Sequence, residues 1–244
     1  MSTCAVMQPH YLPWCGYFDL MDQVDAFVLY DDVEFSRQSW QQRNRIRGPA
    51  GLEWLSVPVL VKGRSHQRID QVELRPASQF ADTHLKTIYQ CYRRAGFLEP
   101  LGERLAGVLA AAQEGGRLVG VTVPVIEFLR GELGIVTPLV RSSQLSVAAS
   151  RSHRLVDLCR AVGAERYLSP AGAVGYLQED QEVFADSGIA VDIQQYEHPV
   201  YPQQYEPFLS HASVVDLLLN VGPDALATVR SGRRAPLALT ELAR

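Results

Sequence analysis

A short continuous apolar run, Cys4 to Met7, stands near the start of the chain and is broken by Gln8-Pro9. Such a run, bounded by a turn signal, predicts a first strand buried on both faces. An amphipathic stretch predicts a helix from about Tyr17 to Gln23, and Ala26 to Tyr30 reads as a second strand that delivers Asp31 and Asp32 at its carboxyl end. Leu52 to Leu60 alternates apolar and polar residues as a strand pausing at Pro58, and a shorter strand is expected over Ile69 to Leu74.

From Ala77 the period changes. Phe80, His84, Leu85, Ile88, Cys91 and Tyr92 recur at three- and four-residue steps, which is helical. Gly96 and Pro100 break that helix, a second runs to Gly115-Gly116, and a third spans Val119 to Leu133, ended by Gly134. The second half alternates: a strand over Thr137 to Leu145, a helix from about Ser152 to Val162, a strand at Arg166 to Leu168, a helix over Tyr176 to Asp186 and a strand over Ile189 to Tyr196. That alternation marks parallel crossover units. The expected fold is α/β: a mostly parallel sheet with flanking helices and a helical insertion over residues 77–134, all in one domain.

With 244 residues, 47% hydrophobic and 20% charged, the composition is that of a globular protein, and the net charge of −4 argues against a nucleic-acid partner. No apolar stretch approaches the roughly 20 residues that cross a bilayer. The N-terminus has no basic head or cleavage site, so the expected location is cytoplasmic. The four cysteines form no CxxC pair, which leaves a disulfide framework or thiolate metal cluster without support. Cys4 and Cys159 lie in apolar runs and read as core. Cys15 adjoins the helix start, where the local dipole favours a thiolate, yet a structural role is placed ahead of a nucleophilic one.

Chemistry concentrates in the first quarter. Pro9 and Pro13 hold an extended loop that carries Gln8, His10, Tyr11 and Trp14 up to Gly16, a glycine that would let a ligand approach free helix N–H groups. Asp31 and Asp32 alternate faces, so one of them is expected to point at a site. The run Ser36 to Arg45, with Trp40, Arg43 and Asn44, is polar and cationic with no apolar face, and reads as an exposed loop or a pocket lining. Lys62, Arg64 and His66 read as a solvated turn, and His84 as a satisfied, half-buried histidine. Ser169 and Gly172 follow one strand, and Glu197, His198 and Tyr201 follow the next, with His198 a general-base candidate. Three strand ends, bearing Asp31-Asp32, Ser169 and Glu197-His198, are expected to converge on one mouth enclosed by the proline-stiffened loop. Ser213, Asp216 and Asn220 read as the polar edge of a terminal helix, with Asp216 or Asn220 alternatively buttressing the Glu197-His198 loop. Arg230, Arg233 and Arg234 read as a solvated basic end. Neither a Walker loop nor a GxGxxG fingerprint is present, and His10, His66 and His198 show no metal-ligand spacing, so no metal is assigned.

Taken together, Gln8-Pro9-x-Tyr11-Leu12-Pro13-Trp14-x-Gly16-Tyr17-Phe18, Asp31-Asp32-Val33-x-Phe35-Ser36, Trp40-x-x-Arg43-Asn44-Arg45-Ile46 and Leu55-Ser56-Val57-Pro58 resemble the WbqC-like proteins. The resemblance continues through Tyr167-Leu168-Ser169, Glu197-His198-Pro199-Val200-Tyr201 and Ser213-Val214-Val215-Asp216-Leu217-Leu218-Leu219-Asn220, nearly the whole chain. Members are typically encoded among genes for O-antigen or other surface-sugar assembly, and some among natural-product tailoring genes. The resemblance implies an enzyme that transfers an acyl or aminoacyl group to the amine of an amino-sugar or natural-product intermediate. In that reading His198 is the base, Glu197 or the Asp31/Asp32 pair orients or polarises it, and Arg43, Asn44 and the loop around Gly16 hold the oxygens. No cofactor is evident from motifs; ATP or a thioester donor stays open. The expected partner is a small molecule, nucleotide-linked or carrier-bound, with an oligomer left open.

Two alternatives stand beside it. The segment around Trp14-Cys15-Gly16-Tyr17 loosely resembles the HxGH region of adenylate-forming nucleotidyltransferases, without either histidine, which would make the protein an ATP-dependent carboxylate-activating enzyme. A non-catalytic sugar-binding or pathway-scaffold protein would use Tyr11, Trp14, Trp40 and Tyr201 to stack on a sugar ring.

Overall fold

The computed structural model describes residues 1–242. Strand β1 (Thr3–Met7) lies in the middle of a six-stranded sheet, paired in parallel with β2 (Ala26–Leu29) on one side and β6 (Arg166–Ser169) on the other. Beyond β2 lies β5 (Leu139–Arg141); beyond β6 lie β7 (Ala190–Tyr196), parallel, and β8 (Arg233–Ala238), antiparallel. The chain therefore builds outward from β1 in one direction, then returns to its other edge and builds the opposite way.

The apolar run of β1 is explained by two cores. Ala5 belongs to one and Cys4 and Val6 to the other, and in β2 Phe27 and Leu29 oppose Val28 in the same way. The larger core takes α1 (Cys15–Asp22), α8 (Val214–Val221), α9 (Ala225–Ser231) and the connection between β2 and β5. That connection holds a hairpin, β3 (Arg43–Gly48) with β4 (Gly51–Ser56), then α2 (Phe80–Cys91), α3 (Leu98–Glu114) and α4 (Val119–Leu133). The smaller core takes α5 (Arg151–Ala161), α6 (Val174–Glu179) and α7 (Gln181–Ser187). Gly134 ends α4 at φ 76°, a left-handed value that favours glycine.

Several expectations are corrected. The end of the run Ser36 to Arg45, read as an exposed loop or a pocket lining, enters a strand, Arg43–Gly48, in which Asn44 and Ile46 are buried while Arg43 and Arg45 stay half-buried. Ile69 to Leu74 is a single 3₁₀ turn followed by an isolated bridge from Leu74 to Val59. Pro100 sits in the first turn of α3, where its missing N–H costs nothing, so the break falls before Leu98. The strand at Thr137 shortens to three residues, and the helix over 176–186 divides at Asp180. Helix α1 begins at Cys15, two residues early. The basic end is exposed at Arg230 and Arg234, which pair with Asp22 (2.8 Å) and Glu197, but Arg233 is half-buried, donating to buried Asp19 (2.8 Å) and pairing with Asp22.

Candidate functional site

The reversal of strand order leaves a crevice beyond the carboxyl ends of β1 and β6, the place where open α/β sheets bind ligands. It is a cavity of about 610 Å³. Met7, Gln8 and His10 line it from β1 and the loop that follows, and Tyr30 from the end of β2. Tyr167 and Pro170 enter from β6, Arg151 and Leu155 from α5, and Tyr176, Glu179 and Asp180 from α6 and its end. Asp180 is braced by the Ser152 hydroxyl at 2.6 Å.

A second cavity, about 260 Å³, lies on the other side of His10 and is lined by His10, Trp14, Trp40, Asn44, Arg45 and His211. Backbone bonds draw its walls together. Tyr11 N donates to Trp40 O (2.9 Å), Ser213 N to Arg45 O (2.8 Å) and Val214 N to Pro13 O (2.8 Å). Gln41 Nε2 donates to Gln8 Oε1 at 2.8 Å, joining this wall to the crevice. Asn44 is buried with both ends of its amide engaged: Nδ2 donates to Leu12 O, whose residue sits at φ 45°, and Oδ1 accepts from Arg45 N, both at 2.8 Å.

His10 is the residue shared by the two cavities. Burial lowers its pKa to about 4, so the ring is neutral at physiological pH and one nitrogen carries a lone pair. His198 comes to the N-terminal loop as expected, with its ring stacked on Trp14 (6.0 Å between centroids, 12° between planes), but it lines neither cavity. Its Nδ1 donates to the Pro199 carbonyl at 2.9 Å, which leaves the lone pair on Nε2; that atom is buried without a partner among the described residues. Burial lowers the His198 pKa to about 4 as well.

The other expected residues distribute as follows. Asp31 is fully buried and accepts from Arg141 Nε (2.6 Å), Ser143 N and Oγ (2.9 Å each) and Ser142 Oγ (3.2 Å). Asp32 pairs with Arg154 and accepts from Ser142 Oγ at 2.6 Å. Both carboxylates fasten β2 to β5 and α5, and neither lines a cavity. The three strand ends do not converge, because β1 and β6 separate β2 from β7. Glu197 is exposed and faces Arg234, not His198. Ser169 is buried with its hydroxyl on Pro170 O (3.3 Å), and Gly172 is exposed with open space around it. Tyr11 is core, its hydroxyl 2.8 Å from His84 Nδ1. Tyr201 donates to Asp216 at 2.7 Å. Asp216 is fully buried rather than a polar edge, bonds Gln203 and Asn220, and so holds the loop after β7 from beneath. Gly16 admits no ligand: a Cβ there would fall 2.4 Å from Trp14 ring carbons, so the indole fills that space. Cys15 is fully buried, and burial pushes its thiol well above the usual range, away from a nucleophile's.

Tyr30, Arg151, Tyr176, Glu179, Asp180, Arg45 and His211 are the lining residues that the sequence reading passed over. The strand-end rule finds Tyr30, but the others depend on strand order and on how loops 170–180 and 197–213 fold back. Among the described residues no group of three or more His, Cys, Asp or Glu is placed to hold a metal ion, and no helix is long and apolar enough to cross a membrane.

A profile of the WbqC-like protein family matches residues 8–228. An uncharacterized protein of Mycobacterium tuberculosis is 34% identical over 226 residues, which cover 92% of this chain and 96% of that one. No solved structure matches the chain.

Proposed function

Because the chain belongs to the WbqC-like protein family, we propose that it transfers an acyl or aminoacyl group to the amine of a small polar acceptor, an amino sugar or a natural-product intermediate. The observation that carries this reading is the meeting of two cavities at one neutral imidazole, His10. A transfer between two substrates needs two adjoining subsites and, between them, a group able to take a proton.

In this reading the larger crevice holds the acceptor. The carboxylates of Glu179 and Asp180 attract its ammonium group, the tyrosine faces of Tyr30 and Tyr176 cover its ring, and Arg151 meets an anionic substituent. The donor, an activated acyl such as a thioester or an acyl phosphate, reaches His10 through the smaller cavity. The bound ammonium first releases one proton to solvent at the open crevice; the neutral amine then attacks the acyl carbonyl, the new C–N bond forms, the bond to the leaving group breaks, and the second proton from the amine passes through His10 to that leaving group. His198 stacks behind Trp14 and supports the wall.

The test incubates the protein with free and nucleotide-linked amino sugars, each with acyl-coenzyme A thioesters or with ATP, magnesium and free acids, and reads amide product by mass spectrometry. His10→Ala is expected to reduce product formation by about 10²- to 10⁴-fold, the usual contribution of general acid–base catalysis, while keeping the rise in unfolding midpoint that an acceptor produces. An acceptor that stabilises the wild-type protein but yields no product with any donor would replace the transferase by the sugar-binding reading.

A further inference from the structure

The smaller cavity has a rim of unusual chemistry. Trp54 on β4 stacks against Trp40, with 5.5 Å between centroids and 29° between planes, and both stay exposed at 46% and 42%. Register places Arg45 directly opposite Trp54, and the two-residue period puts Arg43 on the same face. The Arg43 guanidinium lies 4.2 Å from the Trp54 ring centre, and that of Arg45 lies 5.4 Å from both indole rings. With Trp14 on the inner wall, all three tryptophans of the chain gather here.

These two arginines also differ from the others around the site. Arg141, Arg154 and Arg233 each face an aspartate, and Arg47 donates to the carbonyls of Gly48 and Pro207. Arg43 and Arg45 have no carboxylate partner among the described residues, and the Nε of each, like those of Arg47 and Arg154, is buried without a hydrogen bond. Two unneutralised guanidinium forks held against indole faces form a receptor for an anion that carries a flat ring. The cavity's 260 Å³ falls below the range of about 300–1,000 Å³ that takes a whole drug-sized ligand. It is therefore sized for the ring alone, with the anionic part left at the rim. The Asn44 amide already holds Leu12 O and Arg45 N, so ring recognition is chiefly by stacking, with the rings of His10 and His211 the polar groups beside it.

We infer that the cavity lined by Trp14, Trp40 and Arg45, together with the Trp54–Arg43 pair packed beside Trp40, is a nucleotide subsite, in which the base stacks on indole and the diphosphate lies across the two arginines. This deepens the transfer reading by naming what fills its smaller cavity. The nucleotide belongs to the acyl donor, as in coenzyme A or an acyl adenylate; tightest binding of UDP would instead seat a nucleotide-linked acceptor across both cavities and overturn the donor route through the smaller one.

Intrinsic tryptophan fluorescence reports this site alone, which makes titration direct. ADP and coenzyme A represent the donor side and UDP the acceptor side, with adenosine and pyrophosphate as the separate halves. Saturable quenching by at least one of the three nucleotides is expected, with each half binding at least about tenfold more weakly, and rising salt should weaken the nucleotide. Whichever nucleotide binds most tightly identifies the source. Arg43→Gln with Arg45→Gln should raise Kd by about tenfold or more, as loss of charge-assisted hydrogen bonds does, at an unfolding midpoint equal to wild type. Arg45→Lys, which keeps charge but loses the fork, should fall between. Absence of saturable quenching by all three nucleotides, pyrophosphate binding as tightly as ADP, or an unchanged Kd in the double variant would each overturn the assignment. Nucleotide binding without amide formation sinks the transferase and leaves this subsite standing; amide formation from substrates that lack a nucleotide, with no quenching, does the reverse.

Discussion

A methyl group at residue 16 would come within 2.4 Å of two carbons of the Trp14 indole. Gly16→Ala must push that ring outward, against His198 and His211, which stack on it at 6.0 and 5.0 Å. The expected cost is about 1–3 kcal/mol, as for other overpacked sites, read as a lower unfolding midpoint together with a shift in tryptophan emission. Tyr11 makes the converse point. Its hydroxyl is the partner of the buried His84 Nδ1, so Tyr11→Phe leaves that nitrogen unsatisfied at a cost of roughly 1–3 kcal/mol, measurable by urea denaturation, with the acceptor-induced midpoint shift retained. At this scale the sequence was informative about residue type and misleading about direction. Histidines, tryptophans and prolines near the start do mark a cavity, yet alternation along an extended loop does not say which side chain faces in. Tyr11 and Gly16 thus serve packing, while His10 between them faces open space.

Among elements, the ties between the ends of strands and helices carry the strongest expectations. Asp31 accepts from Arg141 at the end of β5 and from Ser143 N and Oγ in the turn after it, and its loss would strand Arg141. Asp31→Ala should destabilise by about 3–5 kcal/mol, as removal of one partner from a buried pair does, and the midpoint of chemical denaturation measures it. A well-folded Asp31→Ala protein that binds acceptor poorly would instead assign this carboxylate to the site. The long parallel elements were legible because their apolar runs and helical periods are self-announcing. Strands β3 and β8 were not, since RNRIRG and RRAPLA carry their arginines on faces that other parts of the chain neutralise or stack upon. Only the fold supplies Asp19, Asp22 and Glu197 to Arg233, Arg230 and Arg234, or Trp54 to Arg43.

For the molecule as a whole, histidines set the response to acid, His211 among them, its pKa lowered by desolvation. His10, His84 and His198 are held near pKa 4 by burial, against 6.5 when exposed. The unfolded chain therefore takes up protons that the folded protein refuses, so their contribution is intact above pH 6.5 and is lost as the pH falls toward 4. Asp19 and Asp216, whose carboxyls burial pushes above the usual carboxylate range, act in the opposite sense. The unfolding midpoint should drop between pH 7 and pH 5; a flat profile would show imidazoles titrating as if in water. The strand order behind the crevice was beyond the sequence, since alternation fixes parallel pairing but not which edge of β1 receives β6.

That central placement of β1 bears on how the protein is made. Its second neighbour comes 163 residues later, since Thr3 pairs with Arg166 (166 − 3), while the α1 carboxylate Asp19 waits longer still for Gln194 and Arg233. A growing chain on the ribosome must carry an apolar ribbon with one open edge through most of translation, and this is a segment that a holding chaperone would be expected to cover.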